Sequence, residues 1–292
     1  MLSSQIIENI VTQKLLIGDL SDEDLIQFCS IANQRYRSGE PIISDEKYDF
    51  IFLHELAKRL PNHPFLKKVE AEIEGFSEEK VKLPEKMLST DKAYSWEEIN
   101  KWLERVAKFS NEIKHSLNDV QIRGTAKLDG FAGYDDGNKL YTRGDGNKGS
   151  DISRVFERGL AVFNDSERGQ GPGEIVVKRS YFEKHLFNHF EFPRNFQASL
   201  IKEKELDLFA IDAISEKAAL FVPFAQLPHW LGSIDEFSSQ FLDIVSQLES
   251  GVDFDIDGVV FEIVNPELKE YMGSNRKFHR WQIAFKENKE KA

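Results

Sequence analysis

Thr125-Ala126-Lys127-Leu128-Asp129-Gly130, set in an alternating run from Gln121 to Tyr134, decides the fold class of this 292-residue chain. The run ends in Asp135-Asp136-Gly137-Asn138, a strong turn signal, and Lys139 to Arg143 return as a strand. Further strands are expected at Glu174 to Lys178, Leu206 to Ile214, Ile256 to Val264 and Trp281 to Lys286. They do not alternate regularly with helices, so the pattern predicts an antiparallel α+β domain rather than a doubly wound sheet.

Outward from that core, the first 75 residues read as helix. Leu25, Phe28, Cys29 and Ala32 recur at three- and four-residue spacing after Ser21. Tyr48, Ile51, Phe52, Leu56 and Leu60 follow Ser44-Asp45, an N-cap candidate, and stop at Pro61. The division expected is a small helical module over 1–75 and a larger domain over 76–292. Ser95-Trp96-Glu97-Glu98 has capping-box spacing ahead of Ile99, Trp102, Leu103, Val106 and Phe109. Another capped helix is expected from Ser233-Ile234-Asp235-Glu236 through Phe237, Phe241, Ile244, Val245 and Leu248. No internal repeat or low-complexity linker interrupts the chain, which ends in a charged tail from Lys286 to Ala292.

The length suits two domains at roughly 100–200 residues each. Lysine and arginine total 38 against 50 acidic residues, a net charge of −12, which argues against a surface that binds nucleic acid or anionic membrane everywhere, while allowing a local basic groove. With Cys29 as the single cysteine there is neither an intramolecular disulfide nor a Cys-rich zinc ribbon, as expected in a reducing cytoplasm. Met1 to Glu8 lacks the basic and apolar segments of a secretory signal, and no 18-residue apolar run occurs. A cytoplasmic protein without membrane contact is the expectation.

Two stretches invite chemistry. Gly144-Asp145-Gly146-Asn147-Lys148-Gly149 fits G-x-G-x-x-G, but it follows the second strand of a hairpin instead of opening a helix, which argues against a dinucleotide fold. It also begins like a calcium loop yet carries Phe156 where the bidentate glutamate belongs. A phosphate-approaching loop and an ordinary surface loop both remain open. In the second stretch Thr125, Lys127 and Asp129 share one strand face. A lysine among apolar walls and cations can lose its proton and attack a phosphoryl centre. Taken alone, the commoner outcome for such a Lys/Asp pair is a solvated surface.

Other segments alter that balance: Met87-Leu88-Ser89-Thr90-Asp91, Thr142-Arg143-Gly144-Asp145-Gly146, Gly173-Glu174-Ile175, Pro193-Arg194-Asn195, Asp255-Ile256-Asp257-Gly258-Val259-Val260, and Arg280-Trp281-Gln282-Ile283-Ala284-Phe285-Lys286. With the Lys127 segment, in this order, they resemble the adenylation domain of NAD-dependent bacterial DNA ligases. Ser44-Asp45-Glu46-Lys47-Tyr48-Asp49 resembles that family's N-terminal helical module, so the resemblance runs from about Leu20 to Lys286. It implies an ATP-grasp-like nucleotidyltransferase fold behind a helical module that caps the site and grips nicotinamide mononucleotide. Lys127 stands where the family lysine attacks the α-phosphorus of NAD and becomes lysyl-AMP. Lys286 would contact the α-phosphate and depress the Lys127 pKa by like charge. The family requires magnesium, and Asp129 and Asp257 match acidic positions that organise amine, ribose and metal. Arg143 and Glu174 match ribose-holding positions. Ser89 and Thr90 match a backbone approach to the nucleotide, Thr125 and Ala126 lie beside the nucleophile, and Arg194 and Lys202 match cations near phosphate. Asp45, Tyr48 and Asp49 match the mononucleotide site, where a carboxylate pairs with a pyridinium and an aromatic face stacks on it.

The sequence departs from the family in several places. Thr125 replaces a glutamate and Glu262 replaces the lysine that ends its motif. An unpaired carboxylate at Glu262 would be costly, and it is expected to accept from the adenine amino group. A pocket for another base and an impaired enzyme are the alternatives. Arg35-Tyr36 replaces Tyr-His, with Arg35 expected on the mononucleotide phosphate and Tyr36 on nicotinamide, and altered NAD affinity as the equal alternative. Family ligases continue into an OB-fold, zinc finger, helix-hairpin-helix and BRCT region after the Lys286 motif, so unaided nick sealing is expected to be weak. The acceptor would be nicked DNA or another polynucleotide, and the chain a monomer or a subunit of a split ligase. A non-catalytic NAD-binding paralogue and an RNA or other-acceptor ligase are the competing readings.

Overall fold

The computed structural model describes residues 1–67, 79–202 and 205–288. The expected 75/76 boundary and the tail beyond residue 288 lie outside them. The N-terminal module comprises the helices Ser4–Val11 and Asp22–Arg37, then three consecutive stretches, Asp45–Lys47, Tyr48–Leu53 and His54–Arg59. Ser21 and Ser44 cap two of these starts, each hydroxyl accepting from the amide three residues on. Leu25, Phe28, Cys29, Ala32, Phe52 and Leu56 form the module's core, with the Phe28 and Phe52 rings 4.5 Å apart. Tyr48–Leu53 is wound as π-helix, a widening often found at functional sites, and Asp45, Tyr48 and Asp49 share the face toward the rest of the protein.

Among the described residues twelve strands follow: β1 (Lys80–Lys82), β2 (Lys92–Ala93), β3 (Gln121–Leu128), β4 (Phe131–Asp135), β5 (Leu140–Thr142), β6 (Lys148–Ser150), β7 (Ala161–Val162), β8 (Gly171–Val177), β9 (Ala219–Pro223), β10 (His229–Ser233), β11 (Ile256–Ile263) and β12 (Gln282–Phe285). They form a sheet of order β10-β3-β11-β12-β2, another of order β5-β4-β8-β9-β7, and the pair β1-β6. Pairing is antiparallel except at β12–β2 and β7–β9, which agrees with the α+β expectation. The first sheet packs its apolar face on the helices Trp96–Glu112, Phe241–Ser250 and Pro266–Met272 around Trp102, Phe237 and Phe261. The second packs on Pro193–Ile201 and Leu208–Ser215 around Phe196 and Phe221. Leu128, Val176, Leu220, Val222 and Phe254 join the two sheets.

The alternating run Gln121 to Tyr134 is two strands, not one. The chain leaves the first sheet at Leu128 and enters the second at Phe131, turning at Asp129-Gly130. Gly130 is required there: a Cβ would lie 2.1 Å from the Ile175 carbonyl oxygen. Leu206 to Ile214, expected as a strand, is the helix Leu208–Ser215. Asp207 caps it by accepting from the Ala210 amide at 2.8 Å, and Ala210, Ala213 and Ile214 are buried at helical spacing. Apolar residues on the exposed face as well, Leu208, Phe209 and Ile211, obscure that period in the sequence. The helix from Ser233 has both capping-box bonds but breaks at Gln240 into Ile234–Ser239 and Phe241–Ser250. Strand β9 escaped the pattern because all its residues are buried, leaving no alternation to read.

Candidate active site

A cleft of about 920 Å³ opens where the two sheets meet, and the helical module closes its far side. Lys127 projects into it from β3. On the neighbouring β11 the register slips between Ile256 and Gly258, and this bulge turns Asp257 onto the same side. Lys127 Nζ donates to the two carboxylate oxygens of Asp257 at 3.0 and 3.1 Å. Lys286 follows β12, where its amide donates to the Ala93 carbonyl, and its buried ammonium lies 3.1 Å from Asp257 Oδ2. The same ammonium donates to Asp45 at 3.0 Å and to Asp49, both on the helical module. Lys92 stands 3.7 Å from the other Asp49 oxygen.

Burial alone would raise the Asp257 pKa, but the ammoniums of Lys127 and Lys286 more than reverse it and hold the carboxyl well below its usual range. Asp45 goes the other way: burial, opposed by Lys286 and reinforced by Asp257 and Asp49, pushes it up to about 8. A hydrogen bond shared with Asp257 raises Asp45 further and lowers Asp257. Burial also lowers the proton affinity of Lys286, yet Asp257, Asp45 and Asp49 raise it well above an ordinary lysine. Lys286 therefore does not face Lys127 as a bare cation; a carboxylate stands between them.

A second knot ties the module to the core. The Tyr36 hydroxyl donates to Asp129, while the Arg194 guanidinium lies between the rings of Tyr36 and Phe131, 4.0 and 4.1 Å from their centroids. Arg194 also donates to the Tyr36 carbonyl at 2.7 Å and to the Gly130 carbonyl, and stands 3.7 Å from Asp129. Expected beside phosphate, it is instead occupied in joining the helical module to the sheets, though it lines the cleft. One face of Tyr36, expected on nicotinamide, is covered by it. Asp129 is raised by burial and by the Asp257 charge, against the pull of Arg194. Glu174 accepts from the Gly130 amide at 3.1 Å, and burial pushes it up to about 8 against Lys127 and Arg194.

Tyr48, Ser89, Thr90, Thr125, Ala126, Arg143 and Glu262 also line the cleft, with Arg143 donating to the Ser89 hydroxyl at 3.1 Å. Two expected residues do not. Arg35 lies on the outer side of its helix, half exposed and paired with Glu40 at 2.8 Å. Lys202 is exposed beyond the end of the helix Pro193–Ile201. Glu262 is not unpaired: Arg123 reaches its Oε1 at 3.4 Å. Sequence reading missed Arg123, although it lies two residues before Thr125 on the face already singled out. The glycine-rich stretch is a turn between β5 and β6 that opens no helix; Asp145 accepts from the amides of Asn147 and Lys148. Among the described residues no group of three or more potential ligands is arranged for a metal, and no helix is long and apolar enough to cross a membrane.

Residues 76–205 match the model of the NAD-dependent DNA ligase adenylation domain. A DNA ligase of Vesicomyosocius okutanii is 62% identical over 290 residues, covering 99% of this chain and 46% of the relative. A DNA ligase of Ruthia magnifica is 63% identical over 276 residues, covering 94% of this chain and 45% of the relative. One from Shewanella baltica is 50% identical over 283 residues, with shares of 97% and 43%. The chain thus spans about half the length of these relatives. Sheet topology, the lysines at the cleft and these matches converge: residues 76–205 carry the NAD-dependent DNA ligase adenylation domain, and nearly the whole chain is similar to the N-terminal part of these DNA ligases.

Proposed function

We propose that this chain transfers the adenylyl group of NAD to Lys127 and releases nicotinamide mononucleotide. The observation that carries the reading is the pair of lysines, Lys127 and Lys286, meeting across the single carboxylate of Asp257 beneath the helical module. In the step, the Lys127 amine forms a P–N bond to the α-phosphorus and the pyrophosphate P–O bond to the mononucleotide breaks, its electron pair leaving with the mononucleotide phosphate. Such a transfer depends chiefly on positioning and charge neutralisation. Phosphate that engages Lys286 would draw it from Asp257, which then loses one of the two cations holding it ionised and becomes a better acceptor for the Lys127 proton 3.0 Å away. Asp45, Tyr48 and Asp49 face the cleft from the module and would meet the mononucleotide, while Glu174 and Arg143 would hold the ribose. Magnesium would neutralise the phosphate oxygens. The cleft offers it hard oxygen donors in Asp129 and Asp257 without a protein cage, which suits an ion carried mainly by phosphate.

The acceptor proposed for the charged enzyme is a nicked DNA end, in the cytoplasm. The test is incubation of the chain with NAD and magnesium: a mass gain of one AMP is expected, abolished by Lys127→Ala. Wild-type protein left unmodified by NAD, ATP and GTP would overturn the proposal.

A further inference from the structure

Asp129 is held by its backbone and by its side chain, and the two holds come from different parts of the chain. The backbone belongs to the core. Its amide donates to the Asp255 carbonyl at 2.9 Å, and its carbonyl accepts from Nε2 of the buried Gln197 at 3.0 Å, while Gln197 accepts from the Val177 amide at 2.9 Å. The carboxylate is held from the helical module. Tyr36 donates its hydroxyl to Oδ1, and the Arg194 guanidinium that stacks on the Tyr36 ring stands 3.7 Å from the same oxygen. Neither contact uses Oδ2, which is left for a ligand in the cleft. Tyr36 is fixed in turn at its own end of the helix: its carbonyl accepts from Arg194 Nε at 2.7 Å, and the Gly39 carbonyl, three residues on, accepts from Asn195 at 3.1 Å. The packing of the module on the sheets thus brings phenol to carboxylate across 93 positions.

We infer that Tyr36 is a positioning residue for transfer to Lys127, aiming the Asp129 carboxylate from the helical module. The inference rests on the adenylyl-transfer reading of the same cleft and deepens it. Lys127 ends its strand two residues before Asp129, so the core alone keeps this carboxylate near the nucleophile. Nearness does not set direction: with only its backbone held, the side chain turns about two single bonds and presents its oxygens several ways. A hydroxyl on Oδ1 selects one of them, because a hydrogen bond is directional where the attraction of a cation is broad. Arg194 supplies charge and Tyr36 supplies direction. Orientation fixed before the substrate arrives is what a transfer that depends on positioning requires. The position is one at which the chain departs from the family it resembles, so the link is a property of this sequence.

The test is Tyr36→Phe, which keeps the ring and removes only the hydroxyl. Labelling of Lys127 at saturating NAD is expected to slow about tenfold to a hundredfold, with KM for NAD and the equilibrium affinity for nicotinamide mononucleotide within about threefold of wild type. Because the hydroxyl acts through Asp129, the same substitution made in Asp129→Asn should slow labelling by no more than about twofold. Tyr36→His, whose shorter side chain does not reach Asp129 while Arg194 holds the backbone, should be slowed as much and replaces Tyr36→Phe if that variant folds poorly. Labelling at the wild-type rate in either variant, equal slowing in the two backgrounds, or a loss confined to KM and mononucleotide affinity would overturn the inference. The last result would make Tyr36 a ligand contact instead. The same cycle measured on AMP binding by calorimetry separates the inference from the reading beneath it: coupling of Tyr36 to Asp129 without any labelling of Lys127 would uphold the link and count against adenylyl transfer alone.

Discussion

Replacing Arg194 should uncouple the helical module from the nucleotidyltransferase core. Its guanidinium, about one-tenth exposed, spans Tyr36 of the module and Phe131 and Gly130 of the core. Each desolvated cation–π contact is worth ~1–2 kcal/mol, and each charged donor to a buried carbonyl ~1.5–3 kcal/mol. These terms are not additive, and Arg194→Ala also leaves Asp129 without its cation, so the expected loss is ~3–5 kcal/mol, the range for breaking a buried pair. Arg194→Lys keeps the charge but loses the planar sandwich and the fork of donors, and should cost ~2 kcal/mol. Urea unfolding resolves the consequence because the four tryptophans, Trp96, Trp102, Trp230 and Trp281, all lie outside the helical module. Tryptophan fluorescence therefore follows the core, while far-ultraviolet dichroism follows both parts. The two transitions should coincide in the wild type and separate in Arg194→Ala, with the module melting first. A variant within about 1 kcal/mol of wild type, with coincident transitions and weakened NAD binding, would refute the keystone role and restore Arg194 as a free phosphate-binding cation.

Gly39 closes the helix Asp22–Arg37 at φ 77°, its carbonyl accepts from Asn195, and a Cβ there would lie 2.2 Å from that of Ala198. Gly39→Ala should cost ~2 kcal/mol or more from the left-handed backbone and the clash together, measured by the same dichroism; an unchanged midpoint would contradict the docking described. For Asp45 the folded pKa of about 8 lies above the ordinary 3.8, so the native state binds a proton more tightly than the unfolded chain. Its contribution is therefore most favourable below about pH 4 and is lost as pH rises toward 8. Relative to Asp45→Asn, the wild type should lose up to about 1.4 kcal/mol per pH unit across that window. Parallel stability-versus-pH curves for the two proteins would show that the carboxyl is not perturbed.

Much of the fold was legible locally. The helical period of Leu25, Phe28, Cys29 and Ala32 and the serine caps at Ser44, Ser95 and Ser233 depend on neighbours within a turn, and each lies where its spacing placed it. Segments with little contrast were not legible: Leu206 to Ile214 carries apolar residues on its exposed face as well as its buried one, and Ala219–Pro223 is buried throughout. The Lys127 run could be read as strand, but its division between two sheets depends on Gly130 lying against Ile175, a contact made 45 residues away along the numbering.

The sequence by itself determined which chemical groups are present and on which local faces they sit: Lys127 on a strand, Asp45, Tyr48 and Asp49 on one side of a helix, Asp257 near the start of a strand and Lys286 at the end of another. Only the tertiary structure decided which cation meets which carboxylate. Lys286 pairs with Asp45 across 241 positions and Arg123 with Glu262 across 139, while Arg194 joins the module instead of standing free. Local spacing sets a side chain's direction within its own element, whereas the partner it meets depends on sheet register, a bulge and the packing of the helical module on the sheets. Those are properties of the packed chain, and the electrostatics of the cleft follow from them.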